Sequence, residues 1–258
     1  MRGHEPEPAG PDHRSILGTR VDVLTYASAA ERILAWAVAG ESRMACVATV
    51  HTVMEAHDDP SFRAVVNGAD LVTSDGMPLV WGLRALGVPE ATRVYGPDLT
   101  PVVLARAEAA GVPVGFYGGS ARTLARLTAW VRARHPDLEI AYAESPPFRP
   151  LSDAERAATA RAIAESGAAV LFVGLGCPKQ ERWMGSMRGM VPAVMVGVGA
   201  AFDFLAGEKP QAPRWMMGAG LEWLFRLAAE PRRLWRRYLY HNPRFLWHFG
   251  WQVMRERS

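Results

Sequence analysis

The chain has only two cysteines, Cys46 and Cys177, far apart and in no metal-ligand spacing. Neither a disulfide framework nor a cysteine zinc site is indicated, and a reducing cytoplasm is the expected compartment. No uncharged run reaches the roughly 18 to 20 residues that a membrane-spanning helix needs, so the chain is not expected to cross a bilayer. Residues Met1 to Arg14 are proline, glycine and charge without an apolar core. They are expected to form a disordered tail rather than a signal peptide. Also absent are an Asp-x-Asp pair, a Walker phosphate loop, a Gly-x-Ser-x-Gly elbow and a His-Glu-x-x-His pair. These absences argue against metal-held nucleotide-sugar chemistry, nucleotide triphosphatases, serine hydrolases and zinc proteases. No metal site and no cofactor are expected.

At 258 residues and 49% hydrophobic content, the chain can bury a full core as one large domain or as one domain with an appendage. Short apolar runs, Ala45 to Val50, Asp70 to Thr73, Val112 to Tyr117, Leu138 to Ala143, Val170 to Gly174 and Ala193 to Val198, read as strands. Helical spacing separates them, as in Ala27 to Val38, Pro97 to Ala110, Ala121 to Arg134 and Ser152 to Ser166, the last opened by a Ser152/Glu155 capping box. Val-, Ile- and Leu-rich strands alternating with such helices predict an α/β fold with a mostly parallel sheet.

The alternation stops near residues 205 to 213. Arg214 to Ser258 then holds nine arginines against three glutamates among tryptophans and tyrosines, a net +6, which leaves about −3 for the other 213 residues of a chain at +3. The basicity is local, and its partner is expected to be an anion: lipid head groups, a nucleic-acid backbone or a diphosphate.

Ligands of parallel α/β sheets bind beyond the carboxyl ends of the strands. The residues there are Thr49 and His51, Ser74-Asp75-Gly76, Gly118-Gly119-Ser120, Gly174 to Gln180 (with Lys179) and Gly197-Val198-Gly199. Glycines at such turns admit phosphate to backbone amides, although any tight turn selects glycine. Neither Gly174-Leu-Gly176-Cys-Pro-Lys179 nor Gly197-Val-Gly199-Ala-Ala-Phe202 has the third glycine of a dinucleotide fingerprint, which disfavours an oxidoreductase. Asp75 reads as either a helix N-cap or a base aimed into a cleft. Asp203, in an apolar run, needs a ligand or a turn as partner. Asp98 reads as an ordinary first-turn acid, and His51 as either a structural residue or an acid/base.

Several segments, in order, resemble the bacterial WecG/TagA/CpsF glycosyltransferases. They are Thr49-Val-His-Thr-Val-Met-Glu55, Ala69 to Met77, Arg93-Val-Tyr-Gly-Pro-Asp-Leu99, Phe116-Tyr-Gly-Gly119, Gly174-Leu-Gly-Cys-Pro-Lys-Gln-Glu181, Gly197 to Gly207, and Ala212 to Tyr238. The resemblance implies a Rossmann-like core over residues 15–212 and a helical appendage over 213–258 that acts as active-site lid and membrane contact. It implies an inverting, metal-independent enzyme moving a sugar (N-acetylmannosamine, its uronic acid or a hexose) from a UDP donor to a polyprenyl-diphosphate-linked saccharide. The site would lie at the inner face of the cytoplasmic membrane, in cell-surface polysaccharide synthesis. Oligomers occur among family members, so a homo-oligomer is compatible, and nucleic acid is not an expected partner.

Carried over by motif, Asp75 is the expected base and Thr49 lines its pocket. His51, Arg93, Gly118, Gly119, Lys179, Gln180, Asp203, Arg226, Arg233 and Arg236 are the expected substrate contacts. Arg226, Arg233 and Arg236 would share one helical face over the diphosphate. Arg232, Arg237 and Arg244 would meet the membrane with Trp247 and Trp251. His51 stands where the family usually has asparagine, and Ser74 where it usually has proline. The competing class is a nonenzymatic peripheral module that binds lipid or nucleic acid through the basic aromatic tail.

Overall fold

The computed structural model of the protein describes residues 10–256. It opens with an antiparallel hairpin of β1 (His13–Ile16) and β2 (Thr19–Asp22), anchored by buried Ile16 and Val21. β1 thus begins inside the expected disordered tail. Residues 1–9 of that tail lie outside the described residues. Helix α1 (Tyr26–Val38), capped reciprocally by Thr25 and Ser28, leads to β3 (Arg43–Ala48). β3 ends two residues earlier than the apolar run suggests, because Thr49 caps α2 (Val50–Asp58) through a second reciprocal box with Thr52. Then come α3 (Pro60–Asn67), β4 (Leu71–Ser74), α4 (Met77–Ala85), α5 (Gly96–Ala110), β5 (Val114–Gly118), α6 (Ala121–Arg134), β6 (Ile140–Glu144), α7 (Asp153–Ser166), β7 (Val170–Gly174), α8 (Lys179–Met187) and β8 (Val194–Gly197).

Six strands form one parallel sheet in the order β4-β3-β8-β7-β5-β6. Both faces are buried along every strand but the edge strand β6, and alternation along the strands divides the core. Met44, Cys46 and Ala48 of β3, with Leu171 and Val173 of β7, pack on one side. Ala45, Val47, Val170 and Phe172 pack on the other. Such two-sided burial is why these strands read as continuous apolar runs. From β3 the chain leaves towards β4 on one side, whereas β5 to β8 fill the other, so a crevice opens at the carboxyl ends around β3 and β8.

Four helices follow the sheet: α9 (Ala201–Leu205), α10 (Arg214–Gly218), α11 (Glu222–Ala229) and α12 (Pro231–Glu256). α11 buries none of its residues fully. α12 lies against α2, and its far end reaches the opening hairpin. Gln252 accepts from the Leu17 amide (2.8 Å) and donates to the Ser15 carbonyl (2.6 Å), while Phe245 and Phe249 stack beside it. Asp98 is a first-turn acid of α5, as expected, and also anchors α10, because Arg214 grips it through two bonds of 2.6 and 3.0 Å. Among the described residues no helix is long and apolar enough to cross a membrane.

Candidate active site

The turns that follow β3, β4, β5, β7 and β8 surround a cleft of about 800 Å³, within the size range of ligand sites. Its far wall is Arg226 of α11 with Arg233 and Arg237 of α12. A cavity of about 90 Å³ adjoins it, lined by His51, Arg93, Glu222, Trp223 and Tyr238. Four residues face both spaces: Thr49, Asp75, Arg226 and Arg237.

Asp75 is held at this junction by its own backbone, whose amide donates to the Ala48 carbonyl at 2.9 Å. Its carboxylate accepts from the Gly96 amide and from Arg93, each at 3.3 Å. Arg93 also bonds the Asp75 carbonyl, stacks over Tyr95 at 4.0 Å and pairs with Glu222 of α11 at 2.6 Å. Burial pushes the Asp75 carboxyl up to about 6; the Arg93 charge opposes that rise and Glu222 adds to it. Asp75 does not cap its own helix, because Gly76 occupies the N-cap of α4; its carboxylate meets the first amide of α5 instead. A carboxyl with that affinity for protons, facing a cleft, suits general-base chemistry near neutral pH.

The arginines opposite are the second functional element. Arg237 reaches Thr49 Oγ1 at 3.4 Å, its Nε has no hydrogen-bond partner, and burial pushes its pKa down. Among the described residues no carboxylate pairs with Arg226 or Arg237. Guanidinium groups that face a cleft with no carboxylate bonded to them favour an anionic ligand.

The sequence profile of the glycosyl transferase WecG/TagA/CpsF family matches residues 14–258. The chain is a member of that family. It is therefore a glycosyltransferase, and the family works in cell-surface polysaccharide synthesis.

Within this glycosyltransferase the expected contact residues divide. Gly119, Lys179, Gln180, Asp203, Arg226 and Arg233 line the large cleft, and His51 and Arg93 the smaller one. Gln180 is buried, donates to Glu181 at 2.8 Å and leaves its Oε1 without a partner. Of the two partners expected for Asp203, the turn is present: Lys209 pairs with its carboxylate at 2.7 Å, and its carbonyl accepts from the turn after α9. Arg233 is held by Glu230 through bonds of 2.6 and 2.7 Å.

Gly118 lines neither space. Its φ is +127°, and an added Cβ would lie 2.6 Å from the Gly174 backbone, so strand packing accounts for this glycine. Phe202, where a third fingerprint glycine would stand, is buried over Gly174.

Arg236 also lines neither space; it stacks over Trp235 at 5.5 Å. Arg237 takes the position expected of it. The helix is interrupted at Glu230, whose ψ is +59°, and Pro231 starts a new one, so Arg226 does not share a helical phase with Arg233 and Arg236. Of the three arginines expected at the membrane, Arg237 faces the cleft and Arg244 binds Asp58 through bonds of 2.6 and 2.8 Å. Only Arg232 stays exposed without such a partner assignment.

Sequence reasoning also passed over Glu222, Tyr95 and His241. Tyr95 follows Arg93 by two residues and carries its guanidinium. Glu222 opens α11, where a first-turn acid reads as dipole compensation. His241 lies 4.9 Å from His51 between ring centroids. Burial, with Arg237 and His241 adding to it, pushes His51 down to about 3, which makes it neutral at physiological pH and unsuited to donate as an imidazolium.

Proposed function

We propose that the protein transfers a sugar from a UDP donor to a polyprenyl-diphosphate-linked saccharide with inversion, using Asp75 as base. One observation carries this reading: a buried carboxyl of raised proton affinity stands where two cavities meet, with unpaired Arg226 and Arg237 beside it. The large cleft has room for the nucleotide sugar. The acceptor hydroxyl would enter from the smaller cavity, give its proton to Asp75 and attack the anomeric carbon as the UDP diphosphate departs.

A positioned base contributes about 10² to 10⁴-fold, so the leaving group must supply much of the remainder. Charge accumulating on the diphosphate is met by Arg226 and Arg237, with Arg233 nearby, which makes a metal on the diphosphate unnecessary. Thr49 and Gln180 orient polar groups of the substrates. Residues 15–212 act as the catalytic core and 213–258 as its lid.

The lid also supports a peripheral membrane reading. Trp247 is 66% exposed and Trp251 48%, with Leu239, Leu246 and Met254 also exposed on α12, and Arg232, Arg236 and Arg255 close by. Basic amphipathic helices of this kind lie in the bilayer interface. Docking at the inner membrane face would bring the cleft to a lipid-linked acceptor.

The decisive assay uses the purified chain in detergent with a panel of UDP-sugars and a short-chain polyprenyl-diphosphate saccharide, reading UDP release and product stereochemistry. One UDP-sugar is expected to give the inverted product. Asp75→Asn is expected to bind UDP normally and lose at least about 100-fold in kcat. Wild-type turnover by that variant would overturn the base assignment.

A further inference from the structure

His51 and Glu55 stand one turn apart on α2, the spacing that brings two side chains to one helix face, and His241 of α12 meets them there. Glu55 Oε1 is 3.7 Å from His51 Nδ1 and 3.5 Å from His241 Nε2. One donor atom from each of the three residues falls within 4.8 Å of the others. Hydrogen bonding does not explain the convergence, because both Glu55 separations exceed its range. His51 Nδ1, the atom that faces Glu55, is buried with no hydrogen-bond partner, so its lone pair is available to a cation on that side, and His241 faces Glu55 through Nε2.

We propose that His51, Glu55 and His241 bind a divalent transition-metal cation of the zinc type and that this ion clamps α12 to α2. Zinc bonds of about 2.0 to 2.2 Å to nitrogen and oxygen set tetrahedral donors roughly 3.3 Å apart. The two contacts to Glu55 need to close by only a few tenths of an ångström, and the third pair by a side-chain rotation. Glu55 is 32% exposed, which gives the ion a way in and leaves a fourth position for water. The surrounding charge selects the class of cation. Asp58 pairs with Arg244 and, with Asp59, offsets the charges of Arg237 and Arg182 at Glu55, while Arg237 faces His51 and, with Arg244, His241. A hard cation held by charge alone is disfavoured there, whereas imidazole donors favour zinc, cobalt or nickel over magnesium and calcium. His241 also follows Arg237 by four residues, so fixing one fixes the helical phase of the other.

The experiment titrates the metal-stripped, tag-free full chain with Zn²⁺ by calorimetry and with Co²⁺ by visible absorption, without substrate. A one-to-one site of micromolar affinity or tighter is expected, with a tetrahedral cobalt spectrum. At a hundredfold excess over Kd, Zn²⁺ is expected to raise Tm by about 5 °C or more, and Mg²⁺ to leave it unchanged. Glu55→Gln and His241→Gln, each melting like the metal-free wild type, are expected to weaken Zn²⁺ at least about tenfold. Absence of a saturable one-to-one signal in the wild type, or wild-type affinity in both folded variants, would overturn the site. Binding is read without transfer, so a failure of the sugar-transfer reading leaves this result interpretable.

Discussion

Asp75 is ionised at neutral pH against the preference of its surroundings. Its folded proton affinity corresponds to about 6, against 3.8 for the unfolded chain, so the folded state binds that proton more tightly. Stability associated with Asp75 is therefore full below pH about 4, declines as pH rises between the two values, and is reduced by about 3 kcal/mol above them. Asp75→Asn is expected to melt higher than wild type at pH 8, with the difference vanishing near pH 4. Thermal melts across that range check this, and a variant that melts lower at pH 8 would contradict it. For the same reason transfer should rise with pH through about 6. Gly118 makes the opposite kind of prediction. Gly118→Ala places a Cβ against the Gly174 backbone at a positive φ, so it is expected to cost about 2 kcal/mol or more of stability in denaturant titration, with UDP affinity retained by the folded fraction.

At the scale of elements, α11 and α12 decide which arginines face the cleft. Arg237→Ala is expected to lower kcat by about 100-fold, whereas Arg236→Ala should leave kcat near wild type in detergent. Equal losses in the two variants would mean that the cleft does not use the phase seen here. On the outer face, the double variant Trp247→Ala/Trp251→Ala should change stability by less than about 1 kcal/mol, because both rings are exposed. It should nonetheless bind anionic vesicles several-fold more weakly in sedimentation, and unchanged binding would remove these rings from any membrane contact.

These elements also show where the sequence is readable. Asp75 stands out because an apolar strand, a carboxylate and a glycine occur together. The strands are legible because two-sided burial writes them as apolar runs. Arg237 is hidden because helical phase cannot be carried across the break at Glu230, which only three-dimensional packing reveals. The short helices α2, α3, α4 and α8 span eight or nine residues each and repeat their apolar pattern too few times to declare themselves. The pairing of His51 with His241 bridges 190 positions by subtraction of their numbers, and no local pattern encodes it.

Across the whole molecule, the sheet and the helices after it are buried to different depths. The central strands are buried on both faces, whereas α10 and α11 attach through a small apolar cluster of Tyr95, Ala212 and Met217 with Phe225 and through Arg214–Asp98 and Arg93–Glu222. Amide hydrogen exchange is expected to be slowest in β3, β7 and β8 and fastest among the helices in α11. Protection of α11 equal to that of the central strands would show that the wall of the cleft is as rigid as its floor.

The contact of Gln252 with Ser15 and Leu17 gives α12 the character of a braced beam. Its far end is pinned to the hairpin, and Arg244 pins its middle to Asp58 of α2. A push on the outer face of such a beam is carried along it rather than lost at a loose end, so Arg237 is coupled mechanically to whatever that face touches.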